Sequence, residues 1–274
     1  MAVSTRSAFK NIFKDKDFLS KYSVLVVLTF AMGLMTFIMV AKNYDLLPIA
    51  IPLYFLAMIF DYGYHLKYIQ NLMNDENALL PDWSKPGDIF ITGIKFITAI
   101  LMLAMPIIAV FLVLLVSVAM LSTVSKAFLV LLIIPFFLFA IVEIVLILAG
   151  PGFLFAYLEQ NEDLFALYNL KKVFSYFSIN YFTALFAILS LSVILGFMGS
   201  CTMVSLKYAL FYIIPLLLAP IFRLSFNNLI GQAYCANKRD EKGSALALFG
   251  YIGEFILLLI TYFIIVIILS IKFG

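Results

Sequence analysis

The polar stretch DYGYHLKYIQN, at residues 61–71, continues after a short gap as LLPDWSKPGDIF, at residues 79–90. Together the two form the largest polar island in the chain, and they hold its only histidine, His65, and its only tryptophan, Trp83. The flanking sequence is apolar over runs of about 20 residues, the length that a helix needs to cross a bilayer. The island therefore marks where an otherwise lipid-embedded chain meets water, and it predicts a helical membrane protein.

The composition supports the same class of protein. Hydrophobic residues make up 65% of the chain and charged residues 12%, against about 45–50% and about 25% in soluble domains. The apolar runs are continuous and do not alternate with a period of two, so they predict helices and not the strands of an outer-membrane barrel. The formal net charge of +3 is too small to indicate a nucleic-acid partner.

About seven spans are predicted from the apolar runs. They cover residues 22–41, 46–60, 94–121, 127–149, 180–200, 208–230 and 246–271. The second run is short, and we expect it to continue into the polar island. The fold class is therefore all-α, a polytopic transmembrane helix bundle.

The lysine and arginine residues predict the orientation. They cluster at the N-terminus and in alternate connections, whereas the other connections carry single lysines, and basic clusters stay on the cytoplasmic side. The N-terminus is therefore predicted to be cytoplasmic, in a multi-pass protein of the cell (inner or plasma) membrane. Residues 1–21 are expected to form a basic amphipathic segment, which either lies in the headgroup region or is a plain positive flank. Residues 22–274 are expected to form a single transmembrane helical domain.

The first long cytoplasmic connection is predicted to re-enter the membrane through an amphipathic helix. An apolar stripe recurs at helical spacing in it, at Tyr62, Leu66, Ile69 and Met73. Pro86 suits the first position of the next helix.

The other two cytoplasmic connections are predicted to follow the same plan. Gly150-Pro151-Gly152 is expected to interrupt the fourth span, and Asn161 to cap an amphipathic helix. The apolar face of that helix is predicted at Leu167, Leu170, Phe174 and Phe177. In the third connection, Ser244 is predicted to cap the last span.

Several short motifs resemble a known family, the uncharacterised prokaryotic membrane proteins called domain of unknown function 4013. The motifs are Gly63-Tyr64, Leu80-Pro81-Asp82-Trp83, Phe90 with Gly93, Pro151 with Phe155-Ala156-Tyr157, Asn180-Tyr181 and Gly231-Gln232-Ala233-Tyr234. The resemblance covers roughly residues 22–234. It implies a polytopic bacterial or archaeal membrane protein, and it implies no activity, cofactor or catalytic residue.

Three ionisable residues, Glu143, Arg223 and Glu254, fall inside predicted spans. Each lies on the order of 10 Å below the cytoplasmic interface at 1.5 Å per residue, and charges at that depth usually face a bundle interior and find partners. One hypothesis is a polar cavity in which Arg223 binds an anionic headgroup or solute, or a carboxylate carries a proton. The other is structural: Arg223 pairs with Glu143 or Glu254, or the side chains extend to the interface.

Asp61 and His65 form a second candidate, at the cytoplasmic mouth of the second span. Their i, i+4 spacing puts them on one helix face, where a carboxylate could orient the imidazole for proton transfer. The alternative is an interfacial polar pair without chemistry. A metal site is not expected, because no second histidine exists.

The sequence lacks a GxSxG elbow, an HExxH motif and a P-loop, so we expect neither an enzyme nor a cofactor. The leading hypothesis is a non-enzymatic integral membrane protein that acts as a scaffold or partner subunit, or organises lipid. The alternative is a small-solute or ion transporter or channel using Glu143, Arg223 and Glu254; an intramembrane enzyme using Asp61 and His65 comes third. The expected partners are the lipid bilayer and other membrane proteins or further copies of the chain.

Overall fold

The computed structural model describes residues 3–40, 44–124, 133–203 and 209–273. These residues form α-helices with no strand among them, so the all-α prediction is confirmed. Two short 3-10 helices cover Tyr44–Leu46 and Leu164–Tyr168. The α-helices are α1 Thr5–Ile12, α2 Phe18–Val40, α3 Leu47–Asn74, α4 Pro86–Val124, α5 Ile133–Glu159, α6 Leu170–Ser175, α7 Ile179–Met203, α8 Ala209–Lys238 and α9 Ala245–Phe273.

Within the described ranges, seven of these helices are long and apolar enough to cross a membrane, as the sequence predicts. They are α2, α3, α4, α5, α7, α8 and α9. The second predicted span does continue into the polar island, because α3 runs without a break from Leu47 to Asn74. Its predicted stripe is buried at Leu66, Ile69 and Met73.

Helix starts follow the predicted chemistry at two places. α4 begins at Pro86, with Asp88 in its first turn, where the helix dipole favours a negative charge. The backbone N–H of Ala247 donates to Ser244 Oγ at 3.2 Å, so Ser244 caps α9 as predicted.

The predicted break at Gly150-Pro151-Gly152 is wrong. α5 continues through Pro151 to Glu159, because a proline removes only one backbone donor and a continuous helix satisfies the remaining groups. The chain reverses afterwards, at Asn161 and Glu162, whose φ values of 55° and 65° are left-handed.

The predicted cap at Asn161 is also wrong, since a left-handed residue does not have the extended backbone of an N-cap. Asp163 caps the 3-10 helix instead, accepting from the N–H of Phe165, and Asn169 caps α6. The predicted single helix is thus two short ones. Leu167 of the predicted apolar face is buried, whereas Leu170 and Phe174 are exposed, and Val173 and Tyr176 are buried.

The helices cluster into two compact units. Unit 1 contains Met1–Ile94 and Ser178–Gly274, and unit 2 contains Lys95–Phe177. The domain boundaries predicted from the sequence, 1–21 and 22–274, stay predictions.

In unit 2, polar side chains connect α4 and α5 to the short helices. Lys95 Nζ donates to Glu162 Oε2 at 2.9 Å, and Lys172 Nζ lies 2.8 Å from Glu159 Oε2. The hydroxyl of Tyr168 donates to the carbonyl of Met102 at 2.7 Å.

In unit 1, α1 packs its apolar face into the helices. Ala8 and Ile12 are fully buried, and Ala8 packs in one cluster with Leu229 and Ala233 of α8. α1 lies at the end of unit 1 where α3 and α8 end and α9 begins. We call this end the α1 end. The N-terminal segment is therefore part of the packed core at this end, and not a separate surface helix.

Two glycines allow α3 and α4 to cross closely near the same end. A Cβ on Gly63 would lie 1.9 Å from the carbonyl oxygen of Ile89, and a Cβ on Gly93 would lie 2.0 Å from that of Ile59. Each helix thus presents a glycine to the backbone of the other, the small-residue packing that brings membrane helices together.

Candidate functional site

Four polar side chains of unit 1 meet between α3 and α8, and we call them the polar ring: Asp61, His65, Arg223 and Asn227. Arg223 Nη1 donates to Asp61 Oδ2 at 2.6 Å, and Asp61 Oδ1 lies 3.5 Å from His65 Nε2. Asn227 Nδ2 lies 2.7 Å from His65 Nδ1. Each helix contributes an i, i+4 pair, so the two pairs face each other across the helix contact.

The contact with Asn227 fixes the proton on His65. An amide nitrogen only donates, so His65 Nδ1 accepts and the proton of a neutral imidazole lies on Nε2. Nε2 faces the Asp61 carboxylate, whose charge is balanced by Arg223. The polar ring is therefore an Asp61–Arg223 ion pair with His65 beside it, and Asn227 orients the imidazole through Nδ1.

The polar ring is buried at Asp61, His65 and Asn227 and partly open at Arg223. Asp61 is 3% exposed and His65 8% exposed, whereas the side chain of Arg223 is 35% exposed. Asp61 Oδ1 and His65 Nε2 are buried and form no hydrogen bond with the described residues. Asp61 Oδ1 and His65 Nε2 thus face each other at a distance slightly too long for a hydrogen bond.

A second polar contact lies one turn nearer the α1 end. Asn228 Nδ2 donates to the hydroxyl of Tyr68 at 2.5 Å, and Asn11 Nδ2 of α1 donates to Asn228 Oδ1 at 3.5 Å. Asn228 and Tyr68 are fully buried. Buried amides and hydroxyls stabilise a helix contact only when paired, and here they tie α1, α3 and α8 together.

The connection between α3 and α4 is held by a buried ion pair from the α1–α2 turn. Lys21 Nζ lies 2.9 Å from Asp15 Oδ2 and donates to the carbonyl of Leu80 at 2.9 Å. The same carboxylate oxygen of Asp15 accepts from the N–H of Leu80 at 3.0 Å. Both backbone groups of Leu80 are therefore bound by one charged pair.

Tyr64 holds the next residues of this connection. Its hydroxyl donates to the carbonyl of Pro81 at 3.1 Å, and its ring stacks on Trp83 with centroids 4.6 Å apart and planes at 12°. The motifs Gly63-Tyr64 and Leu80-Pro81-Asp82-Trp83 are thus in direct contact, and their role in unit 1 is to fix this turn.

The structure separates the three ionisable residues predicted inside the spans. Arg223 pairs with Asp61, whereas Glu254 is exposed on α9 and makes no hydrogen bond or ion pair with the described residues. The predicted Arg223–Glu254 pair is therefore not formed. Glu143 is exposed on α5, in unit 2, and its pairing with Arg223 stays a prediction.

Asp61 and His65 do lie together, and sequence reasoning missed their two partners on α8. A signal for Asn227 was present: Arg223 and Asn227 repeat on α8 the i, i+4 spacing of Asp61 and His65. Across the described parts of the chain, no three His, Cys, Asp or Glu side chains come close enough to hold a metal ion.

Comparison with known proteins places the chain in a family. The family model described as "Protein of unknown function (DUF4013)" matches residues 46–204, more than half of the chain. No curated protein and no solved structure matches. The match includes Asp61, His65 and the motifs around Gly63 and Leu80, and it ends before α8. The chain belongs to the DUF4013 family, whose function is unknown.

Proposed function

We propose that this chain is a non-enzymatic integral membrane protein of the cell membrane that serves as a scaffold or partner subunit for another membrane-spanning protein. We further propose that the α1 end faces the cytoplasm, since the basic residues of the N-terminus and of the turn after α8 lie there. The observation that carries the proposal is the exposed carboxylate of Glu254.

Glu254 lies nine residues after the start of α9 at Ala245, about 13 Å along the helix axis at 1.5 Å per residue. None of the residues from 245 to 265 is buried. A charged side chain on a membrane helix costs about 2.5–3.5 kcal/mol at the helix centre, and such residues usually face protein. A face that presents this carboxylate is therefore better suited to a protein partner than to lipid.

The neighbours of Glu254 form a surface suited to a helix. We define the outer face of α9 by its exposed residues Gly250, Gly253, Glu254, Leu257 and Ile260. Beyond the local helix backbone, nothing lies within 4 Å of the position of a Cβ on Gly250 or Gly253, so the two glycines leave a shallow depression beside the carboxylate. Small residues of this kind let a second helix approach closely.

The charge of Glu254 selects the kind of partner. A symmetric contact between two copies brings the same patch against itself, so two Glu254 carboxylates would meet and repel each other. A different protein whose spanning helix offers a lysine, an arginine or a neutral hydrogen-bond donor complements the face. We therefore propose such a heteromeric partner.

The polar groups inside unit 1 support a structural role as well. The polar pairs that join different helices or segments are Arg223 with Asp61, His65 with Asn227, Asn228 with Tyr68, and Lys21 with Asp15. They hold helices in register, which is what a scaffold requires.

The test is purification from native membranes in a mild detergent, followed by mass spectrometry of the intact complex. The wild type and Asp45→Asn, which removes an exposed carboxylate elsewhere in unit 1, should retain a stoichiometric membrane protein. Glu254→Leu should lose it at unchanged yield, and Glu254→Gln should keep part of it because an amide still forms hydrogen bonds. A wild-type protein that carries only a specific lipid or a small solute contradicts the proposal and favours lipid organisation or transport.

A further inference from the structure

A polar pocket of about 230 Å³ lies at the α1 end of unit 1, between α1, the residues that follow α3 and the last turns of α8. Its lining includes Lys10, Lys14, Ser7 and Gln232. It is separate from the polar ring and from the outer face of α9. We propose that it binds a phosphate group, carried by an anionic lipid headgroup or by a small soluble phosphate ester.

The charge of the pocket is positive. Lys10 lies in the last turn of α1 and Lys14 two residues after its end, and both are exposed. Lys14 Nζ donates to Asn77 Oδ1 at 3.3 Å, and Lys10 has no ion pair among the described residues. Glu76, which also lines the pocket, is engaged by Arg239, so it does not neutralise the lysines.

The free groups of the pocket are donors. Gln232 Oε1 accepts from the backbone N–H of Ser4 at 3.0 Å, which assigns the amide orientation and leaves Nε2 as the remaining group. Gln232 is 9% exposed, and its buried Nε2 has no hydrogen-bond partner among the described residues. Gln232 also lines the pocket, and a buried donor without an acceptor is rare in folded proteins.

The acceptors of the pocket are largely occupied. Asn77 Oδ1 accepts from Lys14. Asn11 donates from Nδ2 to Asn228, at the contact between α1 and α8. A ligand in the pocket therefore meets the ammonium groups of Lys10 and Lys14 and the hydroxyl of Ser7. Phosphate fits this set because it is anionic and accepts hydrogen bonds at each of its oxygens.

The size of the pocket limits the ligand. Sites for drug-sized molecules usually measure about 300–1,000 Å³, so about 230 Å³ suits a phosphate with a small substituent such as glycerol. In a membrane-embedded protein such a group is available from a phospholipid headgroup or from a soluble phosphate ester.

The test measures thermal unfolding of the full-length protein in neutral detergent. One arm adds inorganic phosphate or glycerol phosphate, and the other adds phosphatidylglycerol or, as a zwitterionic control, phosphatidylcholine. Stabilisation in the first arm identifies a soluble phosphate ligand, and stabilisation by phosphatidylglycerol alone identifies a lipid headgroup. No stabilisation of the wild type in either arm overturns the proposal.

Two double variants with the same change in charge locate the binding. Lys10→Gln with Lys14→Gln should weaken binding about tenfold or more, because the variant removes two ammonium groups that donate charge-assisted hydrogen bonds to phosphate. Lys16→Gln with Lys85→Gln, which changes two exposed lysines that do not line the pocket, should bind like the wild type. Equal weakening in both double variants means non-specific charge attraction and overturns the proposal.

A measurement on the unmodified protein does not depend on whether the variants fold. Acetylation of lysines is compared with and without the stabilising ligand, and Lys10 and Lys14 should become protected while Lys16 does not. Unchanged acetylation of Lys10 and Lys14 contradicts a ligand in this pocket. The outcome is independent of the partner on α9, since neither arm requires another protein.

Discussion

Arg223 of α8 donates to the carboxylate of Asp61 of α3 at 2.6 Å, although the two residues are 162 positions apart in the sequence. The pair connects the two helices that form the centre of unit 1. His65 and Asn227 extend the contact by one turn. Arg223 is therefore paired with an aspartate, whereas one alternative from the sequence paired it with a glutamate.

Replacing one member of this pair should destabilise the protein more than replacing both. Asp61→Ala leaves the partly exposed Arg223 guanidinium without its partner, and we expect a loss of about 1 kcal/mol or more, because solvent compensates only part of the unpaired charge. Asp61→Leu combined with Arg223→Met removes both charges and should recover most of the loss. Thermal unfolding in detergent measures both, and equal destabilisation by the single and double variants would contradict a direct pair.

The close crossing of α3 and α4 should be intolerant of a single methyl group. Gly63→Ala places a Cβ 1.9 Å from the carbonyl oxygen of Ile89, so the helices must separate, and overpacking of this kind costs about 1–3 kcal/mol or more. Gly87→Ala is the control, because no atom lies within 4 Å of its Cβ position. We expect a lower unfolding temperature for Gly63→Ala and an unchanged or higher one for Gly87→Ala. Identical behaviour of the two variants would mean that the crossing is not this close.

The ion pair that binds Leu80 should control the order of the α3–α4 connection. The side chains of Lys21 and Asp15 are 11% and 3% exposed, and removing one partner of a buried pair costs about 3–5 kcal/mol. Lys21→Met should therefore increase hydrogen exchange at residues 75–85, whereas Lys16→Met, at an exposed lysine, should not. Unchanged exchange in Lys21→Met would show that the connection is held by other contacts.

The only tryptophan reports on the same connection. Trp83 stacks on Tyr64, so Tyr64→Leu should free the indole and shift its fluorescence emission to longer wavelength. Tyr64→Phe keeps the ring and loses only the bond to Pro81, and its emission should stay near that of the wild type. If Tyr64→Leu leaves the emission unchanged, the stacking does not determine the environment of Trp83.

The features that the sequence predicted are those that depend on a single helix. Continuous apolar runs required helices, the i, i+4 spacing put Asp61 beside His65, and Pro86 and Ser244 mark the starts of α4 and α9 by local chemistry. Each of these features depends on residues within one turn of the helix.

Contacts between segments that are far apart in the sequence could not be predicted from local patterns. Nothing local indicates that Arg223 meets Asp61, or that Asp15 and Lys21 bind the backbone of Leu80. The left-handed backbone at Asn161 and Glu162 was missed for a related reason: an asparagine before acidic residues is typical of a cap, and the tertiary turn after α5 overrides that preference. Of the alternatives for Arg223, the pair with Glu254 is not formed, because depth along two helices does not say which faces meet.

The central claim is that the outer face of α9 contacts another membrane protein. The most direct measurement is site-specific photocrosslinking in native membranes, with the crosslinker at Leu257, which is 66% exposed on this face. The control places it at Leu56 of α3, which is 47% exposed in the same unit. The account predicts a single crosslinked protein from position 257, absent from position 56 and lost when Glu254→Leu is added. Crosslinks to lipid alone from position 257 would contradict it.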